Sequence, residues 1–207
     1  MTQYFIVHPD NPQARLVSQA VKILQADGVI VYPTDSCYAL GCLIDSKSAI
    51  ERIARLRRLD PRHNMTLVCR DLSEIGIYAR VDNIAFRFIK SLTPGPYTFL
   101  LRATRDVPRR LQHPQKKTIG LRVPDNRIAL ELLGALEQPM LSTSLILPGK
   151  KLPESDPQLI NSELQNQVDL IIDGGGGGLE STSVIDLTGS APVVVRSGLG
   201  DVSRITG

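Results

Sequence analysis

The sequence predicts an α/β protein: one twisted, open, mixed sheet with helices packed on it, forming a single domain over residues 1–207. Three observations carry this. Segments with helical apolar spacing alternate with short β-branched runs through the first two thirds of the chain, and strands dominate the last third. The apolar mass is Leu, Ile and Val, with only 4% aromatic residues and no Trp. At 207 residues and 42% hydrophobic content, the chain suffices for one ordinary core, and no repeat or composition break divides it.

The elements follow in order. "NPQARLVSQAVKILQADG" reads as a helix capped by Asn11, with Pro12 in its first turn and Gly28 at its end; Leu16, Val17, Ala20, Ile23 and Leu24 form its apolar face. "VIVYP" is a short buried strand, and "TDSCYALGCLID" a loop after it. Ser46 caps a second helix ending near "RRLDP", and "MTLVC" is the next strand. A short helix is expected over 71–77, then a longer one capped by Asp82. "TPGP" is a turn before the strands "YTFLLRA" and "TIGLRVP". Asp125 caps "NRIALELLGALE", and "PMLSTS" returns as a strand. Residues 147–157 form a polar, Pro-rich loop, and Asp156 with Pro157 opens a short helix. "DLIID" and "SVIDL" are strands flanking the run Gly174–Gly178, and "APVVVRSG" is the last strand.

Several function classes fall away. No G-x-G-x-x-G follows "VIVYP" and no G-x-x-x-x-G-K-[ST] occurs, so any nucleotide is held by another arrangement. There is no nucleophile elbow, paired-carboxylate motif or H-E-x-x-H, and His8, His63 and His113 have no evident partners. Cys37, Cys42 and Cys69 lack zinc spacing and read as reduced thiols. No metal site is expected. The N-terminus shows no signal-peptide pattern and no apolar run reaches membrane length, so a cytoplasmic protein with no membrane partner is expected. The formal charge is +3, which permits an anionic partner without demanding one. The cations cluster: five arginines lie within residues 51–63, and five more with two lysines between 102 and 122. Arginine suits a two-pronged grip on phosphate or carboxylate, although such runs are also ordinary solvated faces.

Four polar loops at strand ends are the candidate site. Thr34, Asp35 and Ser36 leave the strand "VIVYP" together. Ser142, Thr143 and Ser144 place three hydroxyls at the end of an apolar strand. The glycine run exposes many N–H groups before Ser181 and Thr182, and its backbone freedom would allow an anion-binding nest. Arg196 ends an apolar strand, as Arg122 does in "GLRVPD"; each either pairs with a buried carboxylate or reaches a ligand. The run 174–182 is read as a mobile wall of a nucleotide pocket with Ser181 as its fixed contact.

Together "GVIVYPTDSCYALGC", "TPGPYTFLL", "IGLRVPDN", "PMLSTS", "ESTSVIDL" and "VVVRSG" resemble, in order and over nearly the whole chain, the threonylcarbamoyl-AMP synthase family of tRNA-modification proteins. The chain looks most like a bacterial branch lacking parts of the usual synthase signature. The resemblance implies a large basic cavity and synthesis of threonylcarbamoyl-AMP from L-threonine, bicarbonate and ATP, with release of pyrophosphate. It implies Mg-ATP as a substrate and no tightly bound cofactor. Threonine contacts would fall on Thr34 and Cys69, and nucleotide contacts on Arg57, Arg122, Ser142, Ser144, Ser181 and Arg196. Some members bind double-stranded RNA, so tRNA or another RNA duplex is an implied alternative partner, held by the basic cavity without efficient synthesis.

Three departures stand out. Arg57 occupies the lysine position of the family's Lys-x-Arg pair and Leu59 the arginine position, leaving Arg58 or Arg62 as substitutes. Ile146 replaces the asparagine of Ser-x-Asn. Cys69 stands where many members have histidine. Each charge-assisted bond lost would weaken transition-state binding by roughly 1.5–3 kcal/mol, one to two decades in rate. The implied activity is therefore formation, reversal or hydrolysis of the adenylate, with efficient synthesis the most exposed to these changes.

Overall fold

A computed structural model describes residues 1–60, 63, 65–203 and 205. Eleven strands form one mixed sheet. In chain order they are β1 (Gln3–Ile6), β2 (Ile30–Tyr32), β3 (Ala39–Leu43), β4 (Thr66–Val68), β5 (Ala79–Arg80), β6 (Tyr97–Ala103), β7 (Thr118–Arg122), β8 (Met140–Ser144), β9 (Leu170–Asp173), β10 (Ser183–Asp186) and β11 (Val193–Arg196). The spatial order is β1-β9-β2-β3-β8-β4-β7-β6-β10-β11, with β5 paired to β6. Pairs β1/β9, β2/β9, β4/β7 and β6/β10 are parallel and the remainder antiparallel. The helices are α1 (Ala14–Gln25), α2 (Lys47–Arg57), α3 (Leu72–Tyr78), α4 (Asn83–Leu92), α5 (Arg127–Leu136) and α6 (Pro157–Leu164).

Strand alternation sends side chains to two cores. Val29, Val31, Leu40, Cys42, Leu67, Phe99, Leu101, Ile119 and Leu121 face one side, where Ile53 of α2, Ile75 of α3, Ile89 of α4 and Ile160 of α6 cover them. Ile30, Tyr32, Ala39, Val68, Met140, Leu170 and Ile172 face the other, beneath α1 and α5. That second cluster contains no residue of β7, β6 or β10. Half of one sheet face is thus left without a helical cover, and this gap positions the site.

Helix starts follow capping chemistry. Ser46, Asp71, Asp82 and Asp156 each accept a backbone N–H from the first turn of the helix they precede. Two expected caps move. Asn126, not Asp125, caps α5. α1 starts at Ala14 without a side-chain cap, because His8 Nδ1 accepts the N–H groups of Asp10 and Asn11 and holds that segment as a turn.

One strand expectation needs correction, and the two edge strands complete the sheet. The stretch expected to be a loop contains β3, which pairs on both sides with β2 and β8. Its turn residues end by Tyr38, and Gly41 is required beneath Tyr32: a Cβ there would lie 2.8 Å from Tyr32 Cε1. β1 went unseen as a short outermost strand with no buried residue. The last strand, β11, lies where expected in the chain and forms the other edge, with Val193 and Val195 exposed.

Candidate functional site

The uncovered half-face forms the floor of a cavity. From β4 come Thr66 and Val68, from β7 Gly120 and Arg122, from β6 Thr98 and Leu100, and from β10 Val184, with Ala39 and Ser142 at the covered margin. Period-two alternation places these side chains on the face opposite the Leu67, Phe99 and Ile119 core. The floor is low because it is built from small and hydroxyl residues. A Cβ on Gly120 would stand 3.2 Å from Thr98 Cγ2 and 3.3 Å from Thr66 Oγ1, filling its lowest point. The walls are Thr34 and Cys37, Thr143, Ser144 and Ile146, Ser181 and Thr182, with Arg57, His63 and Arg196. The enclosed volume is about 150 Å³, below the roughly 300–1,000 Å³ of pockets that enclose drug-sized ligands.

The structure brings seven of the eight predicted residues, all but Cys69, to this cavity. Cys69 is wholly buried in the larger core cluster, where burial pushes its thiol pKa well up. Its backbone N–H donates to the Arg122 carbonyl at 2.8 Å, fixing β4 to β7. Of the suggested substitutes for the missing pair, Arg58 is the left-handed C-cap of α2, is exposed, and lines a different surface hollow. Arg62 lies outside the described residues. Leu59 packs against the core instead of facing the cavity. Arg57 does reach it, and donates from Nη1 to the Ile146 carbonyl, so the backbone of Ile146 helps to aim this arginine.

The three arginines differ in how they are held. Arg122 pairs with Asp35, and both side chains are only 8% exposed; Nη1 also donates to Ser36 Oγ at 3.3 Å. Of the two readings open for Arg122, the buried carboxylate is realised, although Arg122 Nε and Asp35 Oδ2 are left without partners. Arg196 makes no such pair. Its Nε and Nη2 donate to the Thr182 carbonyl at 3.1 and 2.8 Å. Among the described residues neither Arg57 nor Arg196 has a carboxylate within ion-pair distance. Burial lowers the pKa of both. Two half-buried, carboxylate-free guanidiniums beside one cavity constitute an anion-binding field.

The hydroxyls are partly committed. Thr34 Oγ1 donates to the Cys37 carbonyl at 2.7 Å and accepts the N–H groups of Ser36 and Cys37, so it fixes its own turn. Ser142 Oγ donates to the Leu40 carbonyl and accepts from Tyr32, whose phenol burial pushes up to about 12. Ser181 donates to Ser144 at 3.2 Å, tying two walls together, and Thr98 bonds Thr182 at 2.8 Å.

His63, which has no evident partner in the sequence, stands in the cavity wall. Its Nε2 lies 3.4 Å from Thr143 Oγ1. Desolvation lowers its pKa first, then the charges of Arg57 and Arg196, against a smaller upward pull from Asp60. The signal for the floor was present in "TIGLR", where Thr, Gly and Arg alternate with Ile and Leu. That pattern marks a strand face that no apolar element covers.

Of the run 174–182, Ser181 and Thr182 stand in the cavity wall, and the glycines lie behind it. None of the five glycines lines the cavity. A Cβ on Gly178 would lie 2.1 Å from the Ser36 carbonyl oxygen, and one on Gly177 would lie 2.6 Å from Tyr38 Cδ2. Tyr38 Oη donates to the Gly175 carbonyl at 2.6 Å and accepts from Gly174 N–H, while Gly177 N–H goes to the Ser155 carbonyl. Gly178 is required by its close approach to the Ser36 backbone and Gly177 by Tyr38, and Gly175 has a left-handed φ of 96°.

The sheet defines an α/β protein, and the comparisons narrow it: the chain belongs to the Sua5/YciO/YrdC family, whose model, described as "Telomere recombination", matches residues 22–198. It is 61% identical over 202 residues to the Escherichia coli protein YciO, covering 98% of both chains. The crystal structure of E. coli YciO superposes with a TM-score of 0.96 over 99% of this chain and all of that one. The chain is 27% identical to the threonylcarbamoyl-AMP synthase of Klebsiella pneumoniae, over 85% of this chain and 93% of that one. The Pyrococcus abyssi Sua5 structure complexed with L-threonine matches at 26% identity and a TM-score of 0.87, over 95% of this chain and 58% of the longer P. abyssi chain. Among the described residues no helix is long and apolar enough to cross a membrane.

Proposed function

We propose that the cavity binds an acyl adenylate, of which threonylcarbamoyl-AMP is the member suggested by the synthase relatives, and catalyses its reversible formation from ATP. The observation that carries this is the pair Arg57 and Arg196, cationic and without a carboxylate partner among the described residues, facing a hydroxyl-lined floor. The volume suits the acyl phosphate portion of an adenylate better than the whole molecule, so the nucleoside extends toward the open side. Arg57 and Arg196 hold the phosphate oxygens and stabilise the charge that spreads over them in the transition state. The Ser144–Ser181 and Thr98–Thr182 hydroxyls hold the acyl or ribose oxygens. In the reverse direction a pyrophosphate oxygen attacks the adenylate phosphorus and the carbamate leaves. Mg²⁺ enters with ATP or pyrophosphate as part of the substrate.

Two features favour the reverse direction. Leu59 faces the core, and Ile146 offers a carbonyl where an amide side chain would reach a phosphate. Both changes remove contacts needed to gather three separate substrates. An adenylate arrives already joined, so less positioning is required. The test is to incubate the protein with threonylcarbamoyl-AMP with and without magnesium pyrophosphate and to follow ATP and AMP. ATP formation that requires pyrophosphate supports the proposal. Absence of any turnover at saturating adenylate refutes it.

A further inference from the structure

Two titratable side chains lining the cavity, Cys37 and His63, have no use in the scheme above. The lining contains Arg57, Arg122, Arg196, Cys37 and His63, and no carboxylate among the described residues. Three guanidiniums cannot accept a proton, and the Cys37 thiol is only 1% exposed. Among the described lining residues His63 is therefore the one exposed titratable group that can take up a proton near neutral pH. It also stands between two spaces. A second hollow of about 550 Å³ lies on its other side, lined by Leu59, Met65 and Leu141 with Arg109, Arg110 and Lys117, and His63 belongs to both walls. The contact from Nε2 to Thr143 Oγ1, at 3.4 Å, is long enough to give way to a water molecule.

We propose that His63 is the general base of a hydrolytic reaction at this cavity, in which water supplied from the second hollow cleaves the bound acyl adenylate. The inference rests on the reading that the cavity holds such an adenylate. The water oxygen forms a bond to the carbamoyl carbon while His63 Nε2 takes its proton. The bond from that carbon to the phosphate oxygen then breaks, and its electron pair leaves with AMP, whose phosphate lies against Arg57 and Arg196. The products are AMP and the N-carboxy amino acid, which loses carbon dioxide to give the free amino acid. The proton on His63 passes to solvent. No oxidant, metal or further reactant is needed. The chain thereby becomes an enzyme that removes acyl adenylates as well as one that interconverts them with ATP.

The surroundings favour the neutral imidazole. Arg57 at the end of α2 and Arg196 on β11 both oppose its protonation, as does desolvation, and Asp60 acts weakly the other way. Asp60 also lines the second hollow, where Arg109, Arg110 and Lys117 set three cations against it. The base form then predominates below the ordinary histidine value of about 6.5. General-base catalysis contributes about 10²-fold or more.

The experiment follows AMP release from threonylcarbamoyl-AMP in ¹⁸O-labelled water without pyrophosphate, for the wild type, His63→Asn and His63→Ala. Adenylate occupancy is measured in each by equilibrium dialysis. Expected are AMP free of label, since attack at the carbamoyl carbon leaves the phosphate oxygens untouched, and a kcat/KM that falls on the acid side with a midpoint below 6.5. His63→Asn is expected to lose about 10²-fold or more in rate at full occupancy and to lose the acid limb. Added imidazole is expected to restore part of the His63→Ala rate, which a structural role would not allow. Label in AMP, an unchanged rate in His63→Asn, or a variant that fails only by losing occupancy overturns the proposal. An adenylate that is converted to ATP by pyrophosphate but never hydrolysed overturns this inference alone. One that does not bind at all overturns the adenylate reading with it.

Discussion

Replacing Asp35 with alanine tests whether Arg122 is first a structural cation. The pair is 8% exposed on each side, and Asp35 is the only carboxylate on Arg122 among the described residues. Removing it strands a buried guanidinium, whose Nε already lacks a partner. Breaking a buried pair from one side costs about 3–5 kcal/mol. Unfolding entropy of about 2.1 cal/mol/K per residue gives about 0.43 kcal/mol/K for 207 residues. The melting temperature of Asp35→Ala should thus fall by about 7–12 °C. The double variant Asp35→Leu with Arg122→Met should regain most of that loss, because apolar replacement of both members is close to neutral. Thermal melts followed by circular dichroism measure all three proteins. A single variant within about 2 °C of the wild type, or a double variant no more stable than the single, would refute this view of Arg122.

Three other outcomes follow from the same geometry. Gly178→Ala puts a Cβ against the Ser36 carbonyl, whereas one on Gly176 meets nothing within 4 Å; the first should lose about 1–3 kcal/mol by denaturant titration and weaken adenylate binding through the 34–38 turn, and the second should do neither. Tyr38→Phe leaves the Gly175 carbonyl and the Gly174 N–H unpaired, and should cost about 1–3 kcal/mol in the same titration. Asp71 has its pKa lowered below 3.8, chiefly by accepting the Glu74 N–H. A depressed carboxylate contributes stability above its unfolded value and loses it as pH falls toward the folded one. Asp71→Asn should therefore be less stable than the wild type at pH 6 and converge with it as pH falls below 3.8, as read from urea midpoints.

Much of the fold was legible because it is local. Ser46, Asp71, Asp82 and Asp156 announce helices through their own side chains, and "YTFLLRA" and "PMLSTS" are strands by composition. What failed was non-local. β3 was hidden because Gly41 and Ala39 look like turn residues until Tyr32 is placed over them. The edge position of β11 was not legible, because nothing in "VVV" reveals that no strand lies beyond it. The site divides the same way. Strand-end hydroxyls and arginines were visible, and the cavity gathers them. The Arg122–Asp35 pair spans 87 residues and His63–Thr143 spans 80, so neither leaves a local mark. The glycine run misled because its close approach is to Ser36 and Tyr38, far away in sequence.

Equilibrium binding of ATP and of threonylcarbamoyl-AMP to the wild type, Arg57→Met and Arg196→Met, by isothermal titration calorimetry, is the most direct test of the adenylate site. The two arginines, free of carboxylate partners among the described residues, lead to submillimolar binding of the adenylate to the wild type, weakened by about 10- to 100-fold in each variant as one charge-assisted bond is lost. No binding of either ligand at millimolar concentration, or affinities unaffected by both substitutions, would contradict it.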